Sequence, residues 1–168
     1  MKTYAGIGSR ECPPDVCATM STIARRLDKL GYRLRSGGAD GADDAFERGA
    51  TNKEIFLPWD GFNGRVTDGL TYIVPNFDER YTKQFHPKPD SLGKGAKLLM
   101  SRNANQVLGR DLNDPVDFIL CWTKDGKASG GTGQAMRIAA SRNIPIFNFK
   151  NGYDDFAAFM IFNAHQQE

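Results

Sequence analysis

Short apolar runs alternate with stretches of helical spacing along most of the 168-residue chain. Continuous apolar runs are typical of strands buried on both faces, and apolar residues at every third or fourth position indicate amphipathic helices. The predicted strands cover residues 3–8, 32–35, 54–58, 116–122 and 144–149, with a weaker candidate at 72–74. The predicted helices cover residues 13–30, 41–49, 96–108, 132–142 and 153–164.

The order of these elements is β-α-β-α-β, then an irregular middle, then α-β-α-β-α. Regular alternation of strands and helices produces a mainly parallel sheet with helices on both faces. The sequence therefore predicts an α/β fold with three layers, helix, sheet and helix. Its length predicts one domain spanning residues 1–168.

Residues 59–95 depart from this alternation. They contain many Gly, Pro and aromatic residues, and the weak strand candidate at 72–74 is their one regular feature. Functional loops often have this length and composition. We expect this segment to be an insertion or lid rather than a second domain.

The composition, 40% hydrophobic and 25% charged, is typical of a globular protein and argues against disorder. A net charge of +2 excludes a uniformly basic nucleic-acid coat. The charge is uneven, because residues 61–110 carry eight Lys and Arg against four Asp and Glu. A face for a polyanion and an ordinary solvated surface are both compatible with this segment.

The three cysteines lack the paired spacing of a disulfide framework or a zinc site. No apolar run approaches the roughly 18 residues that span a bilayer, and the N-terminus carries no basic-then-apolar leader. We therefore expect a cytoplasmic protein with no membrane partner, no metal and no cofactor. Open sheets of this class often pair, so a homo-oligomer is an open alternative.

Three glycine-rich turns, each between a predicted strand and a predicted helix, carry the candidate chemistry. In a parallel sheet such turns lie along one edge, where helix N-termini offer free N–H groups to a phosphate. The first turn, residues 8–10, consists of Gly8, Ser9 and Arg10. Glycine allows a ligand to approach the backbone, serine can bind an oxygen or cap the helix, and arginine can make a forked contact with a phosphate.

The second turn, residues 36–43, combines glycines with acids. Because a carboxylate repels a phosphate, we expect this turn to hold hydroxyl or amino groups of a sugar or base. Asp43 and Glu47 share one helix face and are a candidate acid–base pair for cleaving a glycosidic bond. The alternative is a solvated face whose acids stabilise the helix dipole. The candidate ligand-binding residues of this turn are Ser36, Gly37, Gly38, Asp40 and Gly41.

The third turn, residues 129–134, is the better candidate for a phosphate site, because it contains no acid and a helix follows it directly. It lacks the Lys of a P-loop. Its candidate ligand-binding residues are Gly130, Gly131, Thr132, Gly133 and Gln134. The three turns together predict that the chain binds a nucleotide or another nucleotide-derived phosphate ligand.

The first turn, the second turn, Arg102-Asn103 and the third turn occur in this order across residues 3–150. This ordered set resembles the Rossmann-like superfamily that unites the DNA-processing protein DprA (Smf) with the Lonely Guy (LOG) phosphoribohydrolases. The opening, residues 4–10, is particularly similar to small stand-alone DprA-like proteins, many of them carried by phages. The resemblance implies a Rossmann-like fold that binds a nucleotide or single-stranded DNA, and it adds Arg102 to the candidate site. The residues that it places near a DNA backbone are Arg10, Ser36, Gly37 and Gly41.

LOG enzymes carry a catalytic glutamate in the helix after their glycine turn. The matching position in this chain is Arg137, so the resemblance implies a strengthened anion site there and the loss of that acid. Three functions stay open. They are a nucleotide-binding module that senses or sequesters its ligand, a DprA-like single-stranded DNA-binding protein for DNA processing, and a nucleotide N-glycosidase that uses Asp43 or Glu47.

Overall fold

A computed structural model describes residues 1–166 and has a sheet of six parallel strands flanked by helices. The strands are β1 (Thr3–Gly6), β2 (Arg33–Ser36), β3 (Lys53–Phe56), β4 (Tyr72–Ile73), β5 (Phe118–Cys121) and β6 (Ile146–Asn148). The helices are α1 (Pro14–Lys29), α2 (Ala42–Gly49), α3 (Arg80–Phe85), α4 (Lys94–Leu108), α5 (Gly130–Ser141) and α6 (Asp154–Gln166). The predicted three-layer α/β fold with a parallel sheet is confirmed.

The strands lie in the order β4-β3-β2-β1-β5-β6, with β1 between β2 and β5. From β1 the chain adds β2, β3 and β4 on one side, and α4 then carries it across the sheet to β5 and β6 on the other side. The strand order therefore reverses between β1 and β5. In open parallel sheets, ligands bind outside the carboxyl ends of the strands at this position.

Apolar side chains fill both faces of the sheet, which explains why all four residues of β1 and of β5 are buried. On one face, Tyr4 and Phe118 pack with buried residues of α1, α2 and α6. On the other face, Ala5 and Ile119 pack with buried residues of α4 and α5. Successive residues of a strand point to opposite faces, so the continuous apolar runs in the sequence follow from coverage of both faces.

The loop after β1 lies against the start of α2, and glycine is required at this contact. Gly41 has φ +79°, and a Cβ atom there would lie 2.6 Å from the carbonyl oxygen of Ser9. The same oxygen accepts a hydrogen bond of 3.3 Å from the N–H of Ala42. The first and second turns are therefore held together by backbone contacts.

Residues 59–95 have more regular structure than the sequence indicated. Their start packs on the second turn, where the Asn63 side chain donates a 3.0 Å hydrogen bond to the carbonyl oxygen of Gly38. Their middle adds β4 to the edge of the sheet, and their later part forms α3, which packs on α4 and α5. Sequence reasoning missed α3 because six residues are too few for helical periodicity to be visible. The interpretation of the segment as a lid stays a prediction.

Candidate functional site

A cavity of about 580 Å³ opens at the carboxyl ends of β1 and β5, where the strand order reverses. The first turn and the start of the third turn meet in its wall, together with the start of α2 and one side of α4. Of the residues that the sequence predicted for the site, the wall contains Gly8, Ser9, Arg10, Asp43, Arg102, Gly130, Gly131 and Thr132.

The remaining wall residues lie outside the set of candidate ligand-binding residues, and they add both apolar and polar groups to the cavity. Leu99 and Met100 of α4 are half-buried and, with Ile7 and Ala39, supply the apolar part of the wall. The other residues of this group are polar: Glu11, Asn103, Gln106, Thr123, Lys124 and Ser129. A cavity with apolar wall residues and a few convergent polar groups is typical of a site for a small organic ligand.

Asp43 connects the first and second turns from the floor of the cavity. Its carboxylate accepts hydrogen bonds from the N–H of Gly8, at 3.1 Å, and from the N–H of Ala39, at 3.5 Å. Burial raises the pKa of Asp43 from 3.8 to about 6, and the positive charge of Arg102 and the N–H donors oppose this rise. A carboxylate with a perturbed pKa inside a cavity is a feature of functional sites.

Asp43 should make stability depend on pH in a defined window. Because its pKa is higher in the folded protein, the native state binds more protons than the unfolded state between about pH 4 and 6. The free energy of unfolding should therefore fall as the pH rises through this window, by up to about 1.4 kcal/mol per pH unit, and level off above it. Urea titrations between pH 4 and 7 measure this dependence. The free energy of unfolding of the Asp43→Asn variant should change less with pH in this window than that of wild type. The same substitution at exposed Asp40 is the control, and a curve in which both variants match wild type would contradict the prediction.

Arg102 is a buried cation beside Asp43, with a side chain that is 5% exposed. Its Nη1 donates to the carbonyl oxygens of Gly37 and Phe56, and its Nε donates to Oδ1 of Asn103 at 2.9 Å. Its Nη2 makes no hydrogen bond within residues 1–166. Burial lowers the pKa of Arg102 to about 10, although the charge of Asp43 opposes the shift. The guanidinium group thus keeps donor capacity at the cavity wall for an anionic or carbonyl oxygen.

The start of α5 supplies a second set of donors. The first hydrogen bond within the helix runs from the N–H of Gly133 to the carbonyl oxygen of Ser129, at 2.9 Å, so the N–H groups of residues 130–132 precede the helical ladder. Asn103 holds this end in place by donating a 3.0 Å hydrogen bond to the carbonyl oxygen of Gly131. Free N–H groups and the positive end of the helix dipole together favour a phosphate here.

The mouth of the cavity carries three exposed charged residues, Arg10, Glu11 and Lys124. Lys124 lies 3.5 Å from Glu11 in an ion pair that water surrounds on most sides, so the pair contributes little stability. With Arg102 and Asp43 included, the wall has three cations and two anions. The excess positive charge and the positive end of the α5 dipole both favour an anionic ligand.

Seven candidate ligand-binding residues lie outside the cavity wall. The hydroxyl of Ser36 donates to the carbonyl oxygen of Gly6 at 2.6 Å, and the amide of Gln134 donates to the carbonyl oxygen of Tyr81 at 3.1 Å. Both side chains therefore support the turns and are not presented to the cavity. The full set outside the wall is Ser36, Gly37, Gly38, Asp40, Gly41, Gly133 and Gln134.

Glu47 and Arg137 also lie away from the cavity. The carboxylate of Glu47 accepts hydrogen bonds from Arg65, at 2.8 Å, and from the Tyr72 hydroxyl, at 2.9 Å, beneath the 59–95 segment. The guanidinium of Arg137 donates to the carbonyl oxygen of Phe85, at 2.7 Å, and so fastens α3 to α5. Of the candidate pair Asp43 and Glu47, only Asp43 reaches the cavity.

Comparison with known proteins adds information on the fold. No family model matches the chain, and no curated protein matches it. Among solved structures, it is similar to DNA processing protein A from Helicobacter pylori, in a structure that concerns the single-stranded DNA binding mode of that protein. The two are 20% identical, with a TM-score of 0.57 over 93% of this chain and 73% of the other. The chain therefore has a DprA-like α/β fold.

Proposed function

We propose that this protein binds single-stranded DNA and holds one nucleotide of the strand in the cavity. The observation that carries the proposal is that one cavity wall, at the switch point of the sheet, holds donors without a partner among residues 1–166, namely Nη2 of Arg102 and the N–H groups of residues 130–132. These donors suit a phosphate, and the apolar part of the wall, which includes Leu99 and Met100, suits the face of a base. The DprA-like fold supports the choice of single-stranded DNA.

A free nucleotide or nucleotide-derived small molecule is the second candidate, bound by a sensing or sequestering module. Its support is that one cavity offers both apolar wall residues and donors for a phosphate, which together match a single nucleotide. Glycosidic cleavage is less well supported, because Asp43 is the cavity's one buried carboxylate and already accepts hydrogen bonds from the backbone.

Competition binding separates the first two candidates. A fluorescently labelled 20-nucleotide single strand is titrated with the 168-residue chain, and nucleoside monophosphates then compete for the site. Binding of the strand with weak competition by mononucleotides supports the DNA proposal, and its affinity should fall steeply with salt. Tight binding of a mononucleotide with no binding of the strand would replace the DNA proposal with the second candidate. Chromatography of the mixtures for released base tests cleavage.

Arg10 provides the first mutational test. Arg10→Ala should weaken binding of the single strand about 10- to 150-fold, equivalent to about 1.5–3 kcal/mol for a charge-assisted hydrogen bond to phosphate. The loss of one phosphate contact should also reduce the steepness with which the binding constant falls with salt, by about one unit in the slope of log K against log salt concentration. Arg26→Ala, which removes the same charge from an exposed position on α1 outside the cavity, is the control. Equal affinities of the two variants would show that Arg10 does not contact the bound strand.

A further inference from the structure

Gln106 is a buried amide that faces the cavity. The residue is 3% exposed and lines the cavity, and its side-chain amide opens onto that cavity without a hydrogen-bond partner among residues 1–166. The two other amide side chains on this part of α4 are satisfied. Asn103 donates to the carbonyl oxygen of Gly131, and Asn105 donates to that of Gly109 at 3.1 Å. An amide that opens onto a cavity and is not used by the protein's own hydrogen bonds is available to a ligand.

The space for this amide is created by a glycine in the second turn. A Cβ atom at Gly37 would lie 2.1 Å from Nε2 of Gln106, 2.7 Å from Nη1 of Arg102 and 2.8 Å from Oδ2 of Asp43. Any larger residue at position 37 would displace the amide. Gln106 also follows Arg102 by one helical turn, so both side chains extend from the same face of α4 toward the carboxyl edge of the sheet.

We propose that Gln106 is a specificity-determining residue that reads the edge of the nucleobase held in the cavity, an inference that rests on the proposed function. An amide offers a hydrogen-bond acceptor and two donors. A phosphate offers acceptors alone, and the α5 N-terminus already suits it. A base edge presents a donor next to an acceptor, and glutamine pairs with such an edge through two hydrogen bonds.

The rest of the cavity agrees with this orientation. Leu99 and Met100 lie on the α4 side of the cavity, where they can cover the face of a base whose edge meets Gln106. Gly130 and Thr132 are provided by α5, so the N–H donors for a phosphate and the Gln106 amide belong to different elements. The ligand class is therefore a phosphate carrying a base, and a sugar-phosphate backbone without a base should bind less tightly.

The test compares a single-stranded oligonucleotide with an abasic strand of the same length and charge. Wild type should bind the strand with bases at least about tenfold more tightly than the abasic strand. Gln106→Leu replaces the amide with an apolar side chain of similar volume. It should reduce this difference at least about threefold, because Leu99 and Met100 still cover the base, and it should change the affinity for the abasic strand much less. Its melting temperature should stay close to that of wild type, because the amide makes no hydrogen bond to residues 1–166. Gln84→Leu, at an exposed position on α3, is the matched control.

Three other outcomes overturn the inference, and each has a different meaning. Retention of the base-dependent difference by Gln106→Leu would show that another residue reads the base. A lower melting temperature with equal loss of both strands would make Gln106 a structural residue of α4. Failure of wild type to bind either strand would overturn the proposed function as well. The titration of wild type is enough to detect this outcome.

Discussion

Replacing Arg102 with methionine is expected to lower the free energy of unfolding by about 3–5 kcal/mol, because each buried acceptor that loses its donor costs about 1–3 kcal/mol. Methionine fills a similar volume, so the loss is one of charge and hydrogen bonding. The carbonyl oxygens of Gly37 and Phe56 and Oδ1 of Asn103 would lose their donor, and the buried carboxylate of Asp43 would lose the favourable influence of the Arg102 charge.

Urea denaturation of the purified variant measures this loss. Arg48→Met is the matched control, because Arg48 is 66% exposed and forms a surface pair with Asp44, so its loss should cost less than about 0.5 kcal/mol. Removal of Arg102 should also raise the pKa of Asp43 further, which moves the pH-dependent window of stability to higher pH. A stability equal to that of Arg48→Met would show that the buried network is unimportant for the fold.

The chain's hydrophobic pattern predicts its fold because the strands are buried on both faces. The runs at 116–122 and 144–149 become β5 and β6, and Pro14 begins α1 as the sequence indicated. The sheet order could not be predicted, since alternation of strands and helices does not say on which side of β1 the chain returns. That choice depends on the crossing of α4, which is set by packing against the whole sheet face.

The sequence predicts the glycine turns of the site but, apart from Arg102, not the α4 side of the cavity. The turns carry local signals, namely glycines between a strand and a helix. Gln106 and Met100 lie on a helix remote from every turn in sequence, and they reach the cavity through tertiary packing alone. A signal was present at spacing i, i+4, because Arg102 and Gln106 place polar side chains beside an apolar stripe at Ala104 and Leu108.

Burial also decides which acidic residue reaches the cavity. Asp43 and Glu47 share a helix face, but the 59–95 segment covers Glu47 with Arg65 and Tyr72. Spacing along a helix predicts that two side chains point the same way, but it does not predict what covers each of them. The acid–base pairing of these residues therefore stays a prediction without a shared cavity to support it.

Gly131→Leu is expected to weaken binding of a single strand or a nucleotide by more than about a hundredfold, equivalent to about 3 kcal/mol, while leaving the fold intact. Gly131 lies at the start of α5 in the cavity wall and is exposed. A Cβ atom there would meet the Met100 side chain at 3.4 Å, which is ordinary contact, so the first carbon fits. The remaining atoms of leucine would extend into the space beside the free N–H groups and exclude a phosphate from them.

Gly95→Leu is the matched control for this substitution. Gly95 also lies in the first turn of a helix, and a Cβ atom there meets nothing within 4 Å. Both substitutions replace glycine with a better helix former, so both variants should melt at or above the wild-type temperature. Only Gly131→Leu should lose the ligand, as measured by fluorescence anisotropy. If the Gly131→Leu variant binds with wild-type affinity, the phosphate does not bind at the start of α5, because no phosphate can reach N–H groups that a leucine side chain covers.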